Sequence, residues 1–354
     1  MKSLFRKKAN TIIGLDIGTK FIKAVCLDIS DTLPKVLSFS SEPIHGMAFA
    51  EREIKDFEAI SKSLKKVSLS LKAKTKEASI AVAGTSVISK LVFMDPDQSD
   101  FELETQIELE ADSLIPYPLE EVYLDFEQLR PSQAHPGKVE VLLSAAPKDL
   151  VDSRITVVRE APFDPVIVDI ESNALADAVL TFYPLESDEL TVSVNMGAAL
   201  MQLCVIENNE VIYIKEHSFG VNSYIQDLAL IHAIDTQEVE RQIADGSAPD
   251  EWFKDSLSTF IGGMQQQIQR ALQMFVATSH KSMPSKFLLS GGAANLPNIA
   301  EELSNDMGMQ VDIFNPFKNM TFDAKVNETE LMNIAPQFAV AAGLATRRLA
   351  QWHK

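Results

Sequence analysis

Cysteine is nearly missing from this 354-residue chain: Cys26 and Cys204 are the only two. Both fall in stretches that read as strands, so they are expected as buried free thiols of a reducing compartment rather than as a disulfide framework. Cys-x-x-Cys does not occur, and the six histidines (His45, His135, His217, His232, His280, His353) stand at no metal-ligand spacing. There is no Gly-x-Ser-x-Gly and no Walker lysine loop, which removes the usual signals of acyl transfer and of a P-loop. No uninterrupted apolar run approaches the ~20 residues that span a bilayer. Basic residues are in deficit, 32 against 50 acidic, for a formal charge of −18. Such a surface repels phosphate backbones and argues against general nucleic-acid binding.

Met1–Lys8 is basic, with Lys2, Arg6, Lys7 and Lys8. It resembles a signal-peptide start, but Asp16 cuts the following segment and no small-residue cleavage site follows, so secretion is rejected. A solvated tail is favoured over contact with an anionic membrane surface.

What the chain does contain is apolar residue in quantity, 46% of the total, enough for two domains with large cores. Ile12–Val25 reads as strand, tight turn at Asp16–Thr19, and returning strand. Gly18 permits the turn, and such a turn aims successive N–H groups at a phosphate. Asp16 is placed to hold Mg²⁺ through water, and Lys23 to reach the same anion. An ordinary hairpin would look alike. A second unit of the same shape follows at Thr191–Val205, with Asn195 falling on Asp16 and Gly197 on Gly18. A third stretch, Phe287–Leu296, is a buried strand ending in Gly291-Gly292, where the backbone is free to lie flat on a planar group such as adenine.

Between the hairpins, apolar spacing predicts helices at Glu53–Leu71, around Leu103–Leu114, and at Pro147–Arg159. Strands are predicted at Ala78–Ala83 and Val87–Met94 about a Gly84-Thr85-Ser86 turn, and again at Val122–Leu129 and Val139–Ala145. A strand at Val166–Ile170 feeds a helix at Glu171–Phe182. Leu257 to Phe275 marks a long amphipathic helix whose Met and Phe stripe is core. Gly343, among small residues of a closing helix at Ala335–Ala350, predicts close helix packing.

Hairpin, hairpin and Gly-Gly loop in this order resemble the actin-like ATPase superfamily, an α/β fold of duplicated ribonuclease H-like domains. The closer resemblance is to the PilM family of type IV pilus assembly. It rests on Lys7-Lys8-Ala9-Asn10-Thr11, Ile80-Ala81-Val82-Ala83-Gly84, and Glu110-Ala111-Asp112-x-x-Ile115-Pro116-Tyr117-Pro118-Leu119-Glu120-Glu121-Val122. Further matches are Val168-Asp169-Ile170-Glu171-x-x-Ala174-Leu175, Asn315-Pro316-Phe317 and Ala342-Gly343-Leu344-Ala345.

The resemblance implies a subdomain 1A from 10–42, 162–187 and 335–350, an inserted FtsA-type subdomain 1C over 43–161, and a second domain over 188–334. It implies ATP with Mg²⁺, held by Asp16, Gly18, Thr19, Lys20 and Lys23, by Asn195, Gly197 and Ala198, by Glu240 near the ribose, and by Gly291, Gly292 and Ala293. Glu171 matches the position that orients attacking water, its bland alternative being a helix-start acid favoured by the dipole. The implied partner is the N-terminal cytoplasmic peptide of PilN, in a groove between 1A and 1C, which places the chain in the cytoplasm, peripheral to the inner membrane. Candidate walls are the strand edges from Ile80 to Met94 and the Leu114–Leu119 corner. Other inner-membrane pilus assembly proteins are implied as partners too.

Three departures bear on activity. Asn195 stands where the family carries Asp, Val221 replaces the last glycine of Phe-Gly-Gly, and Ile243 follows Glu240 where a Lys is usual. Together they imply ATP binding with weak or absent turnover. The alternatives are an FtsA-like filament former and a small-molecule kinase of the same fold.

Overall fold

The structure is a computed structural model that describes residues 11–347 apart from positions 31, 32, 51, 97, 133, 134, 188 and 246. The basic start and residues 348–354 lie outside the described residues.

Every residue of β1 (Ile13–Ile17) is buried, and strands pair on both of its edges. It returns through a tight turn into β2 (Phe21–Asp28) and then β3 (Lys35–Pro43). A small hairpin of β4 (Phe49–Ala50) and β5 (Glu53–Ile54) precedes α1 (Phe57–Leu71). The predicted helix from Glu53 therefore starts late. Asp56 is its N-cap, accepting from the Ala59 N–H, and this stops the helix from extending back over Ile54.

Next, β6 (Glu77–Val82) runs parallel to β1. The following strand, β7 (Ile88–Met94), joins a different sheet, so the Gly84 turn links two sheets instead of closing a hairpin. Helix α2 (Asp100–Leu114) opens on a capping box at Ser99 and Glu102. Strands β8 (Val122–Pro131) and β9 (Val139–Pro147) complete a sheet of order β7-β9-β8, packed on Leu103, Ile107 and Ala111.

Contacts gather Val82–Val157 into one compact unit and the segments on either side into another. The sequence reading assigned 43–161 to the insertion. The stretch before Val82 lies instead with the larger unit, since β6 extends the β1 sheet and α1 covers β2 and β3.

After α3 (Lys148–Glu160), β10 (Asp164–Ile170) adds to the first sheet in the order β10-β6-β1-β2-β3, with the two-residue strand Thr321–Phe322 (β16) beside β3, and α4 (Glu171–Phe182) starts directly at the carboxyl end of β10. The second half repeats the theme with β11 (Thr191–Met196), β12 (Met201–Glu207) and β13 (Glu210–His217). Helices α5 (Val221–His232), α6 (Thr236–Asp245) and the 30-residue α7 (Asp250–Ser279) follow. Then come β14 (Lys286–Ser290), α8 (Ile299–Met307), β15 (Val311–Ile313), β16 (Thr321–Phe322), α9 (Glu328–Ile334) and α10 (Ala339–Leu344). The second sheet has the order β13-β12-β11-β14-β15.

Cys204 and Leu288 of that sheet, Ala81 of the first, and α4 and α10 share one core. Gly343 lets α10 seat on α4: a Cβ there would stand 1.7 Å from the Ala174 carbonyl oxygen. Gly14 makes the matching approach, its ideal Cβ 1.9 Å from the Ala341 oxygen. Both cysteines are free and buried. No helix among the described residues is long and apolar enough to cross a membrane.

Candidate functional site

The two hairpins put their polar residues at equivalent places. In the first, Asp16 lies opposite Lys23, and the turn closes with the Gly18 N–H donating to the Phe21 oxygen at 3.0 Å. In the second, Asn195 lies opposite Gln202, and the Gly197 N–H donates to the Leu200 oxygen at 2.9 Å. The side chains pair across each ladder. Lys23 Nζ stands 2.6 Å from Asp16 Oδ2, and Asn195 Nδ2 donates to Gln202 Oε1 at 3.0 Å. The second hairpin thus repeats the first with an amide pair in place of an ion pair. Asn195 is no isolated loss, because its partner is neutral too.

Gln202 carries the arrangement outward. Its Nε2 donates to Glu171 Oε2 at 3.2 Å and to Glu216 Oε1 at 3.1 Å. Glu171, the first residue of α4, is buried, and its other oxygen accepts from Arg52 Nη2. The carboxylate that sequence comparison set aside for orienting water is therefore engaged at both oxygens. Arg52 comes from the β4–β5 turn and received no role from the sequence. Only its position 119 residues upstream of Glu171 hides it, since no local pattern marks such a pair. Burial pulls its guanidinium below the ordinary range, while the charges of Asp16 and Glu216 oppose that shift.

Lys20, at the first turn, pairs with Glu240 of α6, 220 residues away. Two residues that the sequence assigned to one ligand thus meet each other directly.

The third element is the loop after β14. Gly291 has φ +87° and ψ −172°, and a Cβ on it would stand 2.4 Å from the Met196 oxygen, so only glycine fits. Its N–H donates to the Pro336 oxygen at 2.8 Å, and Ser290 Oγ lies 3.3 Å from Asn195 Oδ1. Gly292 is exposed, with open space where a side chain would project. Ala293 turns its methyl into the core.

The Phe219-Gly220-Val221 segment corrects one expectation. The close approach belongs to Gly220, whose ideal Cβ would be 2.4 Å from the Ala198 oxygen. Val221 merely begins α5, donating its N–H to the Gly197 oxygen at 3.0 Å, and the Asn222 N–H reaches the Ala198 oxygen at 2.8 Å. The glycine that makes the close approach is retained at 220. Gly197 and Ala198 thereby have their carbonyls occupied, leaving their turn to present other atoms.

Among the described residues no group of three or more His, Cys, Asp or Glu is disposed to hold a metal ion.

A family model described as type IV pilus assembly protein PilM matches residues 14–349. Among solved structures, a chain of a PilM-PilN type IV pilus biogenesis complex superposes with TM-score 0.83 at 24% identity, over 96% of this chain and 99% of that one. The ethanolamine utilization protein EutJ from Carboxydothermus hydrogenoformans gives 0.58 at 16%, over 95% and 89%. MreB5 of Spiroplasma citri bound to ADP gives 0.50 at 12%, over 94% of each chain. These likenesses show the actin-like fold expected from the paired hairpins.

Proposed function

This chain belongs to the type IV pilus assembly protein PilM family, and we propose that it is a nucleotide-binding scaffold that docks a PilN-type partner at the inner membrane. The observation that carries the nucleotide reading is the register equivalence of Asp16–Lys23 and Asn195–Gln202 at two tight turns, with the Gly291-Gly292 loop beside the second. Turn N–H groups of Thr19 and Lys20, and that of Ala198, suit phosphate oxygens, those of Gly18 and Gly197 being used to close their turns. Exposed Gly292 suits a flat base, and Glu240 suits a ribose hydroxyl once released from Lys20. Mg²⁺ bound with the nucleotide would neutralise phosphate charge, with Asp16 holding it through water. Because Gln202 holds Glu171 and the second hairpin carries the neutral Asn195 in place of an acid, ATP turnover is slow.

The partner reading rests on family membership and on the likeness to a chain of the PilM-PilN complex. Strand β7 pairs with β9 on one side and ends its sheet on the other. An extended peptide gains main-chain hydrogen bonds at such an edge. Leu119, half-buried against the same core, is the proposed side-chain wall. Recruitment by a membrane-anchored partner would place the chain in the cytoplasm at the inner membrane, beside the other pilus assembly proteins there.

Calorimetric titration of nucleotide-stripped protein with ATP, with and without Mg²⁺, tests the first part. Micromolar binding is expected, and no heat from folded protein would refute it. For the second, Leu119→Arg is expected to abolish capture of the partner's N-terminal peptide with an unchanged melting curve. Unchanged capture would remove that wall.

A further inference from the structure

Arg52 has donors to spare in a place built around anions. Its side chain is 12% exposed. Nη2 donates to Glu171, while the buried Nε meets no acceptor. A guanidinium offers a planar fork of five N–H donors, and a stable buried pair normally uses two of them side by side against one carboxylate. Here one carboxylate oxygen takes a single nitrogen, and the other oxygen is turned to Gln202. Burying a cation so incompletely satisfied is costly for a purely structural pair.

Position gives the reason. Asp16, at the end of β1, is among the carboxylates whose charge acts on Arg52. Glu171 and Gln202 link Arg52 to the second hairpin, where Gln202 faces Asn195. The guanidinium therefore stands where the two phosphate-type turns are joined through side chains. The second hairpin brings no charge of its own, having Asn195 and Gln202 in place of an ion pair. Arg52 adds a cation to those that Lys20 and Lys23 bring on the first hairpin.

We infer that Arg52 reads the terminal phosphate of a bound nucleoside triphosphate, exchanging Glu171 for the phosphate oxygens. The inference rests on the nucleotide-binding reading above and deepens it: it makes the site selective for triphosphate over diphosphate. A phosphate satisfies the free Nε and a second nitrogen together, in the bidentate geometry that guanidinium favours. Glu171 is then a competitor for Arg52, not a ligand-binding group. The guanidinium also supplies positive charge that does not depend on a metal, so discrimination persists when Mg²⁺ is chelated.

The experiment measures dissociation constants for ATP and ADP by calorimetry, each with Mg²⁺ and with EDTA, alongside ligand-free melting curves. Wild type is expected to prefer ATP. Arg52→Ala should weaken ATP about ten- to hundredfold, the worth of one charge-assisted hydrogen bond, and leave ADP within about twofold. Arg52→Lys should restore part of the preference. Glu171→Gln removes the competitor and should tighten ATP severalfold without moving ADP. Where Arg52→Ala fails to fold, the double variant Arg52→Met with Glu171→Gln removes the pair without leaving a buried charge and takes its place.

An unchanged ATP-to-ADP ratio on losing Arg52 overturns the inference, as does a Glu171→Gln variant that weakens ATP. Wild type that binds both nucleotides equally overturns the inference alone. Wild type that binds neither overturns the nucleotide reading and the inference with it.

Discussion

Exchanging the amide pair of the second hairpin for the ion pair of the first is a sharp test of their equivalence. Asn195→Asp alone replaces a donor by an acceptor facing Gln202 Oε1, where the native bond is 3.0 Å. Turning the Gln202 amide to answer it would forfeit the bonds from Nε2 to Glu171 and Glu216. The lost neutral bond is worth about 0.5–1.5 kcal/mol and an unsatisfied acceptor about 1–3 kcal/mol, so the single variant should lose roughly 2–4 kcal/mol. Gln202→Lys places an ammonium opposite residue 195 and beside two carboxylates, reproducing the Lys23–Asp16 geometry. In that background, Asn195→Asp should cost less than about 1 kcal/mol, a coupling of at least about 1 kcal/mol. Trp252 is buried in the same core as Val192 and Val194, so its fluorescence in urea reports the affected region once Trp352 is replaced by Phe. A coupling below about 0.5 kcal/mol would refute the equivalence.

Three further outcomes are expected. Gly343→Ala drives a methyl into the Ala174 carbonyl, and the overpacking cost of about 3 kcal/mol outweighs the ~1 kcal/mol helix gain; a melting temperature at or above wild type would contradict it. His217 is held below the ordinary histidine range by burial, with the Lys215 and Arg270 cations adding to it. The unfolded chain then binds the proton more tightly, so stability is full above about pH 6.5 and declines as pH falls towards the folded value. Melting curves from pH 7.5 to 5.5 should fall more steeply for wild type than for His217→Gln, and parallel curves would refute this. Burial pushes the Cys204 thiol up to about 12 and the Cys26 thiol to about 11, so neither should react with iodoacetamide until the chain is unfolded; labelling of native protein at pH 8 would show otherwise.

Features set by neighbours in sequence were legible from the sequence by itself. The two hairpins follow from alternating apolar residues around a glycine, and both appear with the expected partners at their turns. Helix α4 begins at Glu171 as its pattern predicts, and the small residues around Gly343 do mark a close helix contact. Local reasoning faltered where a cap overrode apolar spacing, as at Asp56, and where two strands around Gly84 went to different sheets. Nothing within a few residues of Val82 says which sheet will accept the next strand.

The charges were decided by tertiary structure alone. Arg52 finds Glu171 across 119 positions and Lys20 finds Glu240 across 220. Periodicity fixes which face a residue lies on, but an ion pair needs two remote faces brought within a few ångströms, and only the chain's topology does that. The same holds for Gly220, whose value lies in the Ala198 carbonyl it approaches and not in its neighbour Val221. The sequence therefore determined the turns of the site, while the fold determined which of its charges are already spoken for.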